Sequence, residues 1–110
     1  MYTYNCMIIR VIDGDTVEAL IDLGFNCHYR SPVRLKGINS PEMHGTTREA
    51  GIKAREKLTT LLAYPPIQIT TEFSKDKDKY GRVLGTFINY ENLNVNQAMI
   101  ESGHAVAYMV

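Results

Sequence analysis

Six side chains carry the chemistry that this sequence concentrates: Asp15, Arg34, Asn39, Ser40, Glu42 and Arg82. Asp15, Asn39, Ser40 and Glu42 offer only hard oxygen donors, a set that suits Ca2+ or Mg2+ and not zinc. Arg34 and Arg82 carry planar cationic forks that match phosphate oxygens. One hard cation, two arginines and a carboxylate make a phosphodiester-cleaving centre. The metal polarises the phosphoryl group, the arginines stabilise charge on the equatorial oxygens, and Glu42 positions or deprotonates a water. Four of the six fall in one stretch, residues 33–42. For any one of them the plain alternative is a polar loop after a strand. The fold decides, because only the fold can bring Asp15 and Arg82 to that stretch.

The elements that must do so are legible from patterning. Residues 4–12 and 16–21 read as β-branched strands joined at Asp13-Gly14, a hairpin signal because glycine accepts positive φ. That assigns Asp13 to turn chemistry and leaves Asp15 as a spare carboxylate. A third strand over 27–36 contains Pro32, which marks an edge or a bulge. It runs into Gly37 and a turn stiffened by Pro41. Thr46 and Glu49 have capping-box spacing, opening a helix that extends to about residue 63, with Ala50, Ala54, Leu58, Leu61 and Leu62 on one face. Residues 67–73 and 83–90 give two more strands. Between them lies a charged stretch, 74–79, that reads as a solvated turn. Asn94 caps a second short helix that stops at Gly103. His28 and His44 read as surface or loop residues. Three strands, a helix, two strands and a helix predict a mainly β fold with α, a five-stranded Greek-key barrel of OB type with two packed helices.

Composition bounds the function. The chain of 110 residues is one domain, 1–110, with formal net charge zero, so bulk charge does not hold a polyanion and local cations or a metal must. Cys6 and Cys27 lack metal-ligand spacing and read as small core residues. No apolar run approaches membrane-spanning length and no signal pattern opens the chain, so the expectation is a soluble chain made in the cytoplasm, with secretion left open.

Val11-Ile12-Asp13-Gly14-Asp15-Thr16, then Val33-Arg34-Leu35-Lys36-Gly37-Ile38-Asn39-Ser40-Pro41-Glu42, Asp78-Lys79-Tyr80-Gly81-Arg82, Asn94-Val95-Asn96 and Gly103-His104-Ala105-Val106-Ala107-Tyr108 follow one another along nearly the whole chain. In that order they resemble the signatures of the staphylococcal nuclease (thermonuclease-like) family. The resemblance implies an OB-fold barrel and Ca2+-dependent hydrolysis of DNA and RNA, leaving 3′-phosphate and 5′-hydroxyl ends. It implies Asp15, position 39 and the Ser40 carbonyl as calcium ligands, and Arg34 and Arg82 as phosphate clamps. Glu42 becomes the water handler, and Lys79, Tyr80 and Tyr108 become nucleotide contacts. Single-stranded substrates and a monomer are expected. The sequence departs from the family at three points. Asn39 stands where a carboxylate is usual, the loop 43–47 is short, and the chain stops at Val110 where longer members add a third helix. Asn39 motivates the alternative expectation, a weak or inactive OB-fold module that binds single-stranded nucleic acid through Tyr80 and Tyr108.

Overall fold

A computed structural model describes residues 2–71 and 82–108. Within them the order is β1 (Tyr2–Asp13), β2 (Thr16–Asp22), β3 (His28–Leu35), β4 (Ile38–Asn39), a 3-10 turn (Gly45–Thr47), α1 (Arg48–Leu61), β5 (Ile67–Thr71), β6 (Val83–Ile88), α2 (Val95–Glu101) and β7 (Val106–Ala107). Five strands close a barrel in the order β1-β2-β3-β6-β5. All neighbours are antiparallel except β3 and β6, which run parallel from Val33 opposite Val83. Closure removes every long free edge, and this is the OB-type barrel expected from the sequence.

Alternation puts one face of each strand inside. Val17, Ala19 and Ile21 of β2, Val33 and Leu35 of β3, Ile67 and Ile69 of β5, and Val83 and Phe87 of β6 fill the interior. Ala54, Leu58 and Leu62 of the α1 segment and Val95 and Met99 of α2 complete the same core. Leu58 and Phe87 are wholly buried, and each contributes about 1.5–3 kcal/mol through the apolar surface it removes from water. Pro32 lies opposite Glu18 of β2, on the stretch of β3 before its pairing with β6 begins, so its missing N–H breaks no ladder bond there.

Several local expectations change. Thr47, not Thr46, is the N-cap of α1, and no side-chain capping bond forms. The Thr47 hydroxyl instead donates to the carbonyls of Glu42 (2.7 Å) and His44 (3.2 Å), so it ties the helix start to the preceding loop. Ala50 is exposed and Gly51 takes the buried position on α1. Cys27 is exposed at a turn, against its expected place in the core, and Cys6 is half-buried. The fifth barrel strand ends at Ile88. Asn94 caps α2 as expected, accepting from the Gln97 N–H at 3.0 Å, and Gly103 follows the helix at φ +80°. Among the described residues no helix is long and apolar enough to cross a membrane.

On the outer barrel face Glu18 accepts from Arg10 Nε (3.2 Å) and Arg30 Nε (3.0 Å). The hydrogen bond from Arg30 and then that from Arg10 hold the Glu18 carboxyl below its usual range. A depressed carboxyl stabilises the fold above its unfolded pKa and loses that contribution as pH falls through the folded value. Glu18→Gln is therefore expected to lower Tm by at most a few degrees at pH ~7, since both arginine partners are exposed. The difference from wild type should shrink as pH falls through the depressed Glu18 value; thermal melts at neutral pH and across the acid range check this.

Candidate functional site

The β1–β2 turn, the end of β3 and the short β4–β7 pair converge at one mouth of the barrel. At the turn, the Asp15 N–H donates to Asp13 Oδ1 at 3.0 Å, which is the turn bond expected of Asp13. Gly14 has no room for a side chain: a Cβ there would lie 2.6 Å from Ala54 Cβ and 2.7 Å from Ser40 Cβ. The turn therefore packs directly onto α1 and onto the residue before Pro41. This close approach buries Asp15, which is 7% exposed as a residue.

Each Asp15 oxygen is engaged. Oδ1 accepts from the Thr16 hydroxyl at 3.0 Å, and Oδ2 accepts from the Ser40 N–H at 3.0 Å. Arg34 Nη1 stands 3.6 Å from Oδ2, while the Asp15 carbonyl accepts from the Leu35 N–H at 2.8 Å. Burial opposes the Asp15 charge. Hydrogen bonds from Asp13, Ser40 and Thr16, with the Arg34 charge, outweigh burial and hold the carboxyl below its usual range. Asp13 moves the other way, to about 6, through burial first and then its hydrogen bond with the Asp15 carboxyl. Asp15 is thus the member of the pair that ionises first as pH rises.

Arg34 spans the centre. Nη1 donates to the Leu35 carbonyl at 3.0 Å and Nη2 to Asn39 Oδ1 at 3.3 Å. Its guanidinium carbon lies 6.0 Å from the Tyr108 ring centroid, within the outer limit for cation–π attraction. Tyr108 is carried there by β7, which pairs Ile38 with Ala107 and Asn39 with Val106. The Tyr108 N–H closes the arrangement on the Gly37 carbonyl at 2.8 Å, in a turn where Gly37 adopts φ +82°. The tail thus forms a strand beside the one that bears Asn39.

The structure brings Asp15, Arg34, Asn39, Ser40 and Tyr108 together. The Glu42 carboxylate is elsewhere: it is exposed, and Oε2 lies 2.9 Å from His44 Nε2. Only its backbone is fixed to the scaffold, because a Cβ on Gly51 would come within 2.5 Å of the Glu42 carbonyl oxygen. Arg82 is half-buried and immediately precedes β6, whose first residue pairs with Val33 beside Arg34. Lys79 and Tyr80 lie outside the described residues.

Three site-building residues, Thr16, Gly51 and Asn96, had no assigned role in the sequence, and Gly14 was read as a turn glycine at positive φ, which it does not adopt; close packing is what requires it. Thr16 holds Asp15, Gly14 and Gly51 permit the two close approaches, and Asn96 ties α2 to the barrel. Gly51 does carry a signal, since a glycine inside a helical pattern costs about 1 kcal/mol relative to alanine and so points to a packing reason. Among the described residues no group of three or more His, Cys, Asp or Glu side chains is placed to hold a metal. The oxygen donors at the centre are one carboxylate, Asp15, with the neutral oxygens of Asn39 and Ser40. Their chemistry fits a hard divalent cation that draws the rest of its shell from water and phosphate.

A closed five-stranded barrel with a parallel β3–β6 closure, two packed helices and a carboxylate–arginine centre at its mouth defines an OB-fold domain built around a charged site. The chain belongs to the family of staphylococcal nuclease homologues, whose profile matches residues 32–110. It is 36% identical over 112 residues to "Protein ParB" of Escherichia coli, covering 92% of this chain and 55% of that protein. It is 32% identical over 122 residues to "Endonuclease YhcR" of Bacillus subtilis strain 168, covering 97% of this chain and 9% of that protein. An "Uncharacterized endonuclease" of Escherichia coli is 30% identical over 101 residues, covering 92% of this chain and 59% of that protein. The chain thus spans less than two thirds of each of these relatives.

Proposed function

We propose that this domain is a calcium-dependent nuclease that hydrolyses phosphodiester bonds of DNA and RNA, with a preference for single strands, as a monomer. The observation that carries the reading is the junction of Arg34 with Asp15 and Asn39 under the ring of Tyr108. Family membership and two relatives named endonucleases support it. Arg34, with Arg82 as the second clamp, binds the scissile phosphate and stabilises charge on its equatorial oxygens. Tyr108 stacks against a base or sugar; Lys79 and Tyr80 contact the same nucleotide. Asp15, Asn39 and the Ser40 carbonyl would hold Ca2+, which when bound polarises the phosphoryl group. Glu42 swings from His44 and takes a proton from water as the water oxygen bonds to phosphorus. The P–O5′ bond breaks, and the departing oxygen takes a proton from solvent water. End analysis of 5′- and 3′-labelled oligonucleotides tests this: 3′-phosphate and 5′-hydroxyl products are expected from both DNA and RNA, and 5′-phosphate ends would overturn it.

One observation favours a second reading, a nucleic-acid-binding module without turnover: the Glu42 carboxylate is engaged by His44 and not by the Asp15–Arg34 cluster. Strand binding without any cleavage would select it. Asn39→Asp bears on the metal. An added negative charge at this site raises affinity for a hard cation, so the variant is expected to reach half-maximal cleavage at a Ca2+ concentration lower by about tenfold, the equivalent of about 1.4 kcal/mol. An unchanged calcium titration would place Asn39 outside the metal's shell.

A further inference from the structure

The outer face of β3 carries cationic residues away from the cleavage centre. In this strand Ser31, Val33 and Leu35 are buried, while His28, Arg30 and Pro32 are exposed and Arg34 is half-buried at the site. Arg30 therefore shares the face of Arg34, and four residues of strand separate them by about 13 Å. Beside Arg30 lies Arg10, and its position there requires an irregularity. Strict alternation in β1 would turn Arg10 inward, because Met7 is exposed and Ile8 half-buried. The register shifts between Ile8 and Arg10, so that Ile9 and Arg10 are both exposed and Arg10 stands opposite Glu18. Bulges of this kind re-aim a side chain and recur next to functional sites.

Glu18 then holds both arginines by their Nε atoms, one on each carboxylate oxygen. Its side chain is 18% exposed, whereas those of Arg10 and Arg30 are 67% and 62% exposed. Among the described residues no other hydrogen bond engages either guanidinium, so the terminal Nη groups of both forks face solvent. One carboxylate orienting two cations leaves the cluster with a formal charge of +1, in a chain whose formal net charge is zero. Asp22, opposite His28, lies further along the same face and bears the nearest opposing charge on β2.

We infer that Arg10 and Arg30, oriented by Glu18, form a second phosphate-contact site that holds the substrate strand beyond the scissile phosphate. The inference rests on the nuclease reading of the Asp15–Arg34 centre and extends it to the length of strand bound. Its ligand is the phosphodiester backbone of a single strand, met by the terminal Nη groups that Glu18 does not engage. OB folds engage about 4–16 nucleotides of single strand, which requires contacts outside the cleavage centre.

Fluorescence anisotropy with a labelled single-stranded DNA of about 12 nucleotides, within the span an OB fold engages, tests the site in the presence of EDTA. The comparison is wild type against the double variant Arg10→Gln/Arg30→Gln. Both positions are exposed, so thermal melting serves as the folding control. Kd for the long strand is expected to rise about tenfold, in line with the loss of charge-assisted hydrogen bonds to two phosphates. The slope of log K against log salt should become shallower by about 1.4, at 0.7 per phosphate on a single strand. A trinucleotide, too short to span both sites, should bind the two proteins equally. An unchanged Kd and salt slope for the long strand would overturn the proposal, as would equal weakening for the trinucleotide. Cleavage is scored separately with Ca2+. A wild type that binds but does not cleave refutes the nuclease reading, while the EDTA binding comparison still decides on the arginine pair.

Discussion

Arg34→Ala is expected to lower the rate of single-strand cleavage about 10²–10³-fold, the usual cost of removing one group that stabilises transition-state charge. The structure ties Arg34 to more than substrate. Its guanidinium stands beside a largely buried carboxylate, with side-chain exposures of 13% for Arg34 and 10% for Asp15. It also bonds the Leu35 carbonyl and Asn39. The alanine variant leaves Asp15 without its cation, and a stability loss of about 1–3 kcal/mol follows from the weakened buried charge. Arg34→Lys separates the two effects. Lysine restores a positive charge near Asp15 but not a planar fork that reaches Asn39, Leu35 and phosphate together. It should recover most of the melting temperature and little of the cleavage rate. Initial rates and thermal melts on the three proteins check this; full activity in the lysine variant would show that charge alone suffices.

The largest loss of stability is expected at a residue far from the reacting phosphate. Asn96 is 5% exposed and satisfies three backbone groups. Its Oδ1 accepts from the Phe87 N–H at 3.1 Å, and its Nδ2 donates to the carbonyls of Lys36 (2.9 Å) and Gly85 (3.0 Å). One amide thus links α2, β6 and the end of β3. Asn96→Ala takes the acceptor from the Phe87 N–H and one donor from each of the Lys36 and Gly85 carbonyls, of which Gly85 keeps its bond from the Lys36 N–H; a buried group left unpaired costs about 1–3 kcal/mol before relaxation. A net loss of about 2–4 kcal/mol, at roughly 5 °C per kcal/mol for a domain of this size, lowers Tm by about 10–20 °C. The Lys36 carbonyl adjoins Gly37, which anchors the Tyr108 backbone. Cleavage measured well below the new midpoint should therefore fall, but by less than in Arg34→Ala. A Tm within about 3 °C of wild type, under 1 kcal/mol on this scale, would show that water replaces the amide.

The barrel was legible because its signals are local and repeated. Asp13-Gly14 marks the first hairpin, Asn94 the second helix start and Gly103 its stop, each through chemistry confined to a few residues. The β4–β7 pair left no such trace: two-residue strands have no period, and their pairing joins residues 38–39 to 106–107. The bulge at Arg10 was equally hidden, since β-branched residues on both sides read as one continuous strand. The helix start misled because Thr46 and Glu49 have capping spacing, while the neighbouring Thr47 makes a tertiary bond to the Glu42 carbonyl. For the candidate site, residue types and order indicated Asp15, Arg34, Asn39 and Ser40, and their convergence followed once Gly14 allowed the turn to rest on Ser40 and Ala54. The orientation of Glu42 toward His44 is a side-chain property of an exposed loop, and no pattern in the sequence encodes it.

The central claim is that the Asp15–Arg34 centre cleaves phosphodiesters with a bound divalent cation. Its most direct test is incubation of the purified chain with labelled single-stranded DNA in millimolar Ca2+, with and without excess EDTA. Cleavage that EDTA abolishes and that renewed Ca2+ restores is the predicted result; no cleavage under any condition, or cleavage that EDTA leaves unchanged, would contradict the account.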